Sequence, residues 1–243
     1  MNIKRIAVVG MGRSGTTYIT EFLGKCGVFL DEVNWAYEHE LGRLINDTIL
    51  NTKFGARPGL PYGELPETEI ELPEYWHKMA QFFIKYMDLQ LLSKGNNTNT
   101  QYWAFKDPRT TILHCIWLEH FDVIIGIFRA PQEVVDSYIG QGWIKGFWKK
   151  RIALNYWRRF NLSLIHIYHT YRQKKQIYIL DYNDDMITQT EILCEKLGLE
   201  VSNEAKSLFD PLKKHYTSDK FPKDREIMDV YKTLIDIKLV KQR

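Results

Sequence analysis

Residues 3–17 constrain this chain most. A nearly continuous apolar run from Ile3 to Val9 ends in Gly10-Met11-Gly12-Arg13-Ser14-Gly15-Thr16-Thr17, after which Tyr18, Ile19, Phe22 and Leu23 recur at helical spacing. An apolar run that stops at glycines and passes into helical periodicity reads as strand, tight loop, helix. In such a loop, backbone N–H groups and the dipole of the following helix favour an anion, and phosphate is the natural guest.

Downstream, the pattern repeats in kind. Helix is predicted over 37–51, 74–92, 110–119, 152–171, 186–197 and from Asp224 onward, with a further helix opening at Pro131. Strand is predicted over 102–105, 122–128 and 176–180, and Asp122 to Phe128 is apolar on both faces, as a buried parallel strand requires. Gly55 to Gly63 is too rich in Gly and Pro to be regular. Strands alternating with helices imply an α/β fold with one parallel sheet flanked by helices on both faces. At 243 residues the chain suits a single domain spanning 1–243.

Charge narrows the partners. A formal net charge of +3 suits anionic small molecules and falls short of a nucleic-acid-binding face. Cys26, Cys115 and Cys194 match neither a disulfide framework nor a zinc pattern, so they read as reduced, buried thiols. No apolar run reaches membrane-spanning length and none resembles a signal peptide, so a cytoplasmic protein is expected.

The framing glycines of 10–17 have Walker A spacing and Thr17 takes its Ser/Thr position, yet Thr16 stands where a nucleoside triphosphatase places lysine. The loop is therefore P-loop-like. Arg129-Ala130-Pro131-Gln132-Glu133-Val134-Val135-Asp136-Ser137 sets an arginine at a strand end and a serine eight residues on, a fork and a hydroxyl that can bind a phosphate beside a helix start, although Arg-x-Pro at such a corner also reads as an ordinary salt-bridging turn. Glu133 stands in that helix's first turn, where the dipole favours a carboxylate.

Together these motifs resemble the sulfotransferases that use 3′-phosphoadenosine 5′-phosphosulfate (PAPS). Arg13-Ser14-Gly15-Thr16-Thr17 is similar to that family's 5′-phosphosulfate loop, and Arg129 with Ser137 resembles its 3′-phosphate motif. Lys106-Asp107-Pro108-Arg109 resembles the Lys-Asp-Pro-Arg of bacterial-type members, and Tyr182-Asn183-Asp184-Asp185-Met186 is similar to their Tyr-Glu-Asp-Leu. The resemblance implies PAPS as co-substrate, 3′,5′-bisphosphoadenosine (PAP) as product, no required metal, and a small-molecule or saccharide acceptor with a hydroxyl. It implies cofactor contacts from Gly12, Arg13, Ser14, Gly15, Thr16, Thr17, Arg129, Ser137 and Tyr182, with Arg13 also stabilising charge on the leaving group.

Lys106 reads either as a second positive contact or as a lysine paired with Asp107 or another carboxylate at the sheet edge. Pro108 occupies the position where animal cytosolic members often carry a catalytic histidine. The base must then come from elsewhere, and the resemblance to other branches, which use a glutamate from the segment after the first helix, implies Glu38, with Glu32, His39 and Glu40 as competitors. Trp143, Phe147, Trp148, Tyr156 and Trp157, interleaved with basic residues, read either as a stacking surface for a carbohydrate or anionic acceptor or as core. Asp181 imitates a Walker B aspartate, which keeps open an ATP- and magnesium-dependent kinase. A third reading is a non-catalytic nucleotide-binding scaffold.

Overall fold

The computed structural model describes residues 2–30, 37–55, 65, 70–94, 100–208 and 222–239. Strands β1 (Asn2–Val9), β2 (Thr100–Lys106), β3 (Val123–Phe128) and β4 (Gln176–Asp181) form one parallel sheet in the order β2-β1-β3-β4. Parallel neighbours need crossover connections, which here are helical. Alternate strand residues feed two cores: Ala7, Val9, Phe105, Ile124 and Ile179 on one face, Ile6, Val8, Ile125, Ile127 and Leu180 on the other. Both faces are covered, and this is why the strands read as unbroken apolar runs.

The first face carries α2 (Glu40–Phe54), α3 (Glu74–Lys94), α4 (His114–Trp117), α5 (Pro131–Gly140), α6 (Lys149–Tyr171) and α9 (Arg225–Ile237). On the second lie α1 (Thr16–Lys25) and α7 (Met186–Leu197), and α8 (Asn203–Ser207) packs beside α1. An aromatic cluster ties α3 to the sheet: the Phe83 ring lies 5.0 Å from Phe105 and 5.5 Å from Trp117, the latter edge-on. Each such pair contributes about 0.5–1.5 kcal/mol beyond its buried area. The buried indole N–H of Trp117 donates to Asn46 Oδ1 at 2.8 Å, which ties α2 to α4.

Helix α8 has no counterpart in the sequence reading, several element ends shift by two or three residues, and three differences bear on the candidate functional segments. Helix α2 begins at Glu40, because the ring Nδ1 of His39 accepts from Leu41 N at 3.2 Å and caps it. Glu38 therefore precedes the helix instead of lying in its first turn. The helix predicted over 110–119 is broken into a 3₁₀ turn (Pro108–Thr111), α4 and a second 3₁₀ turn (Leu118–His120). Asp107 caps the first of these through Arg109 N at 2.9 Å, and the Thr110 and Thr111 hydroxyls are drawn to Asn46 and Gly10. Helix α6 starts at Lys149, ahead of the predicted Ile152. Glu32 and residues 56–63 lie outside the described residues.

Candidate functional site

All four segments singled out by motif follow strands, at the carboxyl edge of the sheet. Neighbours β1 and β3 send their chains in opposite directions: β1 leads to α1 on one face, β3 to α5 on the other. Where adjacent strands diverge in this way a crevice opens, and ligands of open α/β sheets bind there. Arg13 and Ser137 meet across it, Arg13 Nε donating to Ser137 Oγ at 2.8 Å. The two corners read separately from sequence are thus in direct contact.

The first loop is held from beneath. Thr111 Oγ1 accepts from Gly10 N at 2.8 Å and donates to the Gly10 carbonyl oxygen at 3.3 Å. Gly10 has φ 143°, and a Cβ there would fall on the Ile127 carbonyl oxygen, so only glycine fits. At Gly15, φ 100°, a Cβ would collide with the Tyr182 ring, so Tyr182 packs flush against the loop. Arg13 has φ 68°, a left-handed conformation that costs a non-glycine residue about 1–2 kcal/mol. The guanidinium lies 5.8 Å from the centre of the Trp143 ring and pairs with no carboxylate among the described residues.

Donors outnumber acceptors here. The Ser14 hydroxyl oxygen is buried with no hydrogen-bond partner among the described residues, a state that costs about 1–3 kcal/mol unless a ligand relieves it. Helix α1 has no side-chain cap and no carboxylate in its first turn. A buried hydroxyl, an uncapped helix start and an arginine facing only neutral groups together fit an anion.

At the β3 corner, Arg129 is nearly buried and its Nε donates to Glu133 Oε2 at 2.6 Å. Glu133 is therefore the arginine's partner rather than a free helix-start carboxylate, and its other oxygen accepts from Asn183 Nδ2 at 2.9 Å. Asn183 Oδ1 also accepts from Ala130 N at 2.7 Å. The Arg129 guanidinium lies 4.9 Å from the centre of the Tyr182 ring, and Trp157 Nε1 donates to the Arg129 carbonyl oxygen at 2.9 Å. Sequence reasoning passed over Glu133 and Asn183 as partners, although the four-residue spacing of Arg129 and Glu133 at a helix start was a visible signal.

Beyond β2 lies an ion-pair network. Lys106, 2% exposed, donates through Nζ to Glu38 Oε1 at 3.3 Å, and Arg109 donates to Glu38 Oε2 at 2.9 Å. Arg109 also donates to Asp107 Oδ1 at 2.7 Å and pairs closely with Asp47. Asp107 is fully buried and accepts from Asn46 Nδ2 at 2.9 Å. Lysine thus does pair with a carboxylate, though Glu38 and not Asp107. Burial pulls the Lys106 ammonium below the usual lysine range, with Glu38 and Asp107 opposing that pull. Burial also works against the Arg109 charge, but Asp107, Glu38 and Asp47 outweigh it and raise its pKa. Arg109 is the residue that sequence reasoning missed; its only signal was membership of the 106–109 motif.

The competitors separate by position: His39 caps α2 with its ring edge-on to Phe83 and Tyr86, while Glu40 is an exposed first-turn carboxylate. The aromatic segment divides as well. Tyr156 and Trp157 belong to the core, whereas Trp143, Phe147 and Trp148 are exposed. Asp181 is nearly buried and accepts from Lys238 Nζ at 3.3 Å and Asn183 N at 2.9 Å, while burial pushes its carboxyl above the usual range. Among the described residues, no group of three or more His, Cys, Asp or Glu side chains is placed to hold a metal, and no helix is long and apolar enough to cross a membrane.

A scan against protein-family models finds no match, and neither does a search of curated proteins. Solved structures do match. The sulfotransferase domain of the Synechococcus PCC 7002 olefin synthase aligns over 96% of this chain and 95% of its own, at 17% identity and TM-score 0.62. Sulfotransferase STF1 from Mycobacterium tuberculosis H37Rv aligns over 98% and 78% at 16% identity and TM-score 0.49. Deoxyadenosine kinase from M. mycoides follows, over 80% and 98%, at 15% identity and TM-score 0.41. The first likeness, nearly end to end on both chains, establishes a P-loop-like α/β fold of the kind that sulfotransferase domain has.

Proposed function

We propose that this chain is a sulfotransferase that moves the sulfuryl group of PAPS to an acceptor hydroxyl and releases PAP. The observation that carries the reading is the Arg13–Ser137 contact across the β1/β3 crevice, beside the unmet Ser14 hydroxyl. One crevice thereby offers donors for two anionic groups, as a nucleotide phosphorylated at both ribose ends requires. The Ser14 hydroxyl and the backbone N–H groups of Gly15 to Thr17 hold the 5′-phosphosulfate, the Ser14 N–H being donated to the Met11 carbonyl oxygen at 3.2 Å, and Ser137 with Arg129 holds the 3′-phosphate.

PAPS supplies an electrophilic sulfur: as the acceptor oxygen bonds to it, the sulfur–oxygen bond to the 5′-phosphate breaks and the electron pair leaves with PAP. Arg13 stabilises the charge that grows on that oxygen. Glu38 takes the acceptor's proton, giving up one of its two cationic contacts to do so. Lys106 and Arg109 hold Glu38 in place, and buried Lys106 keeps positive charge near the reacting sulfur.

Turnover tests the reading against its rivals. The full chain with PAPS, a chelator and a panel of hydroxyl acceptors should release PAP; release of ADP from ATP only when magnesium is present would replace the sulfotransferase by a kinase. Binding of PAP without turnover on any acceptor would leave a nucleotide-binding scaffold.

A further inference from the structure

Between Ser137 and Leu180 the chain carries nine Lys or Arg and no Asp or Glu, so the remainder, with 24 basic and 30 acidic residues, is net acidic. Four of those cations, Lys145, Lys149, Lys150 and Arg151, cluster where the loop after α5 enters α6. Arg158, further along α6, pairs with Glu226, but none of the four has a carboxylate partner among the described residues. Three of them occupy the first turn of α6, where the helix dipole disfavours positive charge, so helix stability does not account for them.

Phe147 and Trp148 sit amid these cations and are 90% and 61% exposed. The loop behind them is firmly seated: Ile144 is buried, Trp143 N donates to the Tyr138 carbonyl oxygen at 3.1 Å, and the Trp143 ring packs edge-on against Tyr138. Gly146, at φ 94° with open space around it, then turns the chain outward. A seated stem thus presents two large aromatic side chains to solvent, flanked along the chain by four cations.

We propose that this tip is a docking surface for an anionic lipid bilayer. Phe147 and Trp148 enter the headgroup layer, where amphipathic indole rings are favoured, and Lys145, Lys149, Lys150 and Arg151 meet the acidic headgroups. A single-stranded nucleic acid fits less well. It needs ring faces stacked along a basic groove, whereas these two rings are perpendicular, at 88°, and the cations are gathered at a point. Trp143 links the tip to Arg13, so docking brings the β1/β3 crevice to the membrane surface. The inference stands apart from the sulfotransferase reading.

Co-sedimentation of the full chain with vesicles tests it. Vesicles of phosphatidylcholine mixed with phosphatidylserine should bind at least about ten-fold more tightly than phosphatidylcholine alone, and salt should weaken the binding. Phe147→Ser/Trp148→Ser and Lys150→Glu/Arg151→Glu, all at exposed positions, should each abolish it with Tm unchanged. The proposal is overturned by no binding, by equal binding to both vesicle types, by binding that survives the aromatic double variant, or by an oligonucleotide that binds through this tip in the absence of any vesicle binding.

Discussion

Two corners of the carboxyl edge, built from adjacent strands, are electrostatic opposites. At the β1/β3 crevice Arg13 meets a neutral hydroxyl and a tryptophan ring, and the Ser14 hydroxyl meets no partner among the described residues. At the β2 corner, Lys106 and Arg109 are matched by Glu38, Asp47 and Asp107. The first corner has donors to spare, as a site that takes up an anion would. The second completes itself, and so is suited to holding one carboxylate in a fixed place. A site that binds one substrate by its phosphates and deprotonates another needs both kinds.

The largest effect should come from the self-contained corner. Glu38→Gln should lower turnover by roughly 10²-fold or more while PAP affinity stays within error, the usual scale for a positioned base. Normal turnover in Glu38→Gln beside a dead Glu40→Gln or His39→Ala would move the base elsewhere and reduce Glu38 to a structural ion-pair partner. Next comes the open corner. Arg13→Ala should reduce the rate of transfer by more than it weakens PAP, because its contact strengthens toward the transition state. Equal losses in the two quantities would make Arg13 a binding residue only.

Arg129 needs a different design, since removing it leaves Glu133 buried without its cation, a change that costs about 3–5 kcal/mol. In the background of Glu133→Gln, Arg129→Ala should weaken PAP by about 1.5–3 kcal/mol, the worth of a charge-assisted contact. Unaltered PAP affinity in that folded double variant would assign Arg129 to the Glu133 and Asn183 network alone.

The smallest effect concerns pH. Burial depresses the Lys106 pKa, so the folded state binds fewer protons than the unfolded state just below pH 10.5, and stability gains from that residue as pH rises. In urea unfolding, wild type should therefore gain stability relative to Lys106→Arg on approaching pH 10.5, at a slope no steeper than about 1.4 kcal/mol per pH unit. A gap that narrows as pH rises would show that Glu38 and Asp107 outweigh burial.

What was legible in the sequence follows the range of the interactions. The loop 10–17 and the strand before it announce themselves through neighbours in the chain, and the parallel sheet follows from apolar runs alternating with helices. The breaks within Thr110 to Glu119 did not: Ile112, Leu113, Ile116, Trp117 and Leu118 are all buried, so the apolar pattern that reads as one helix carries no mark of where it breaks. The Glu38 network was equally hidden. Arg109 reaches Asp47 and Glu38 across 62 and 71 positions, contacts that exist only once α2 is laid on the sheet. His39 as a cap could have been read locally, but histidine is an uncommon choice beside Ser, Thr, Asp and Asn.

The central claim is that the crevice spanned by Arg13 and Ser137 recognises a nucleotide phosphorylated at both its 3′ and 5′ positions. The direct measurement is the thermal shift of the full chain with PAP against AMP, which differ by the 3′-phosphate alone. At about a hundred-fold excess over its Kd, PAP should raise Tm by about 5–10 °C, and AMP at the same concentration by far less. Equal shifts from PAP and AMP would contradict the account.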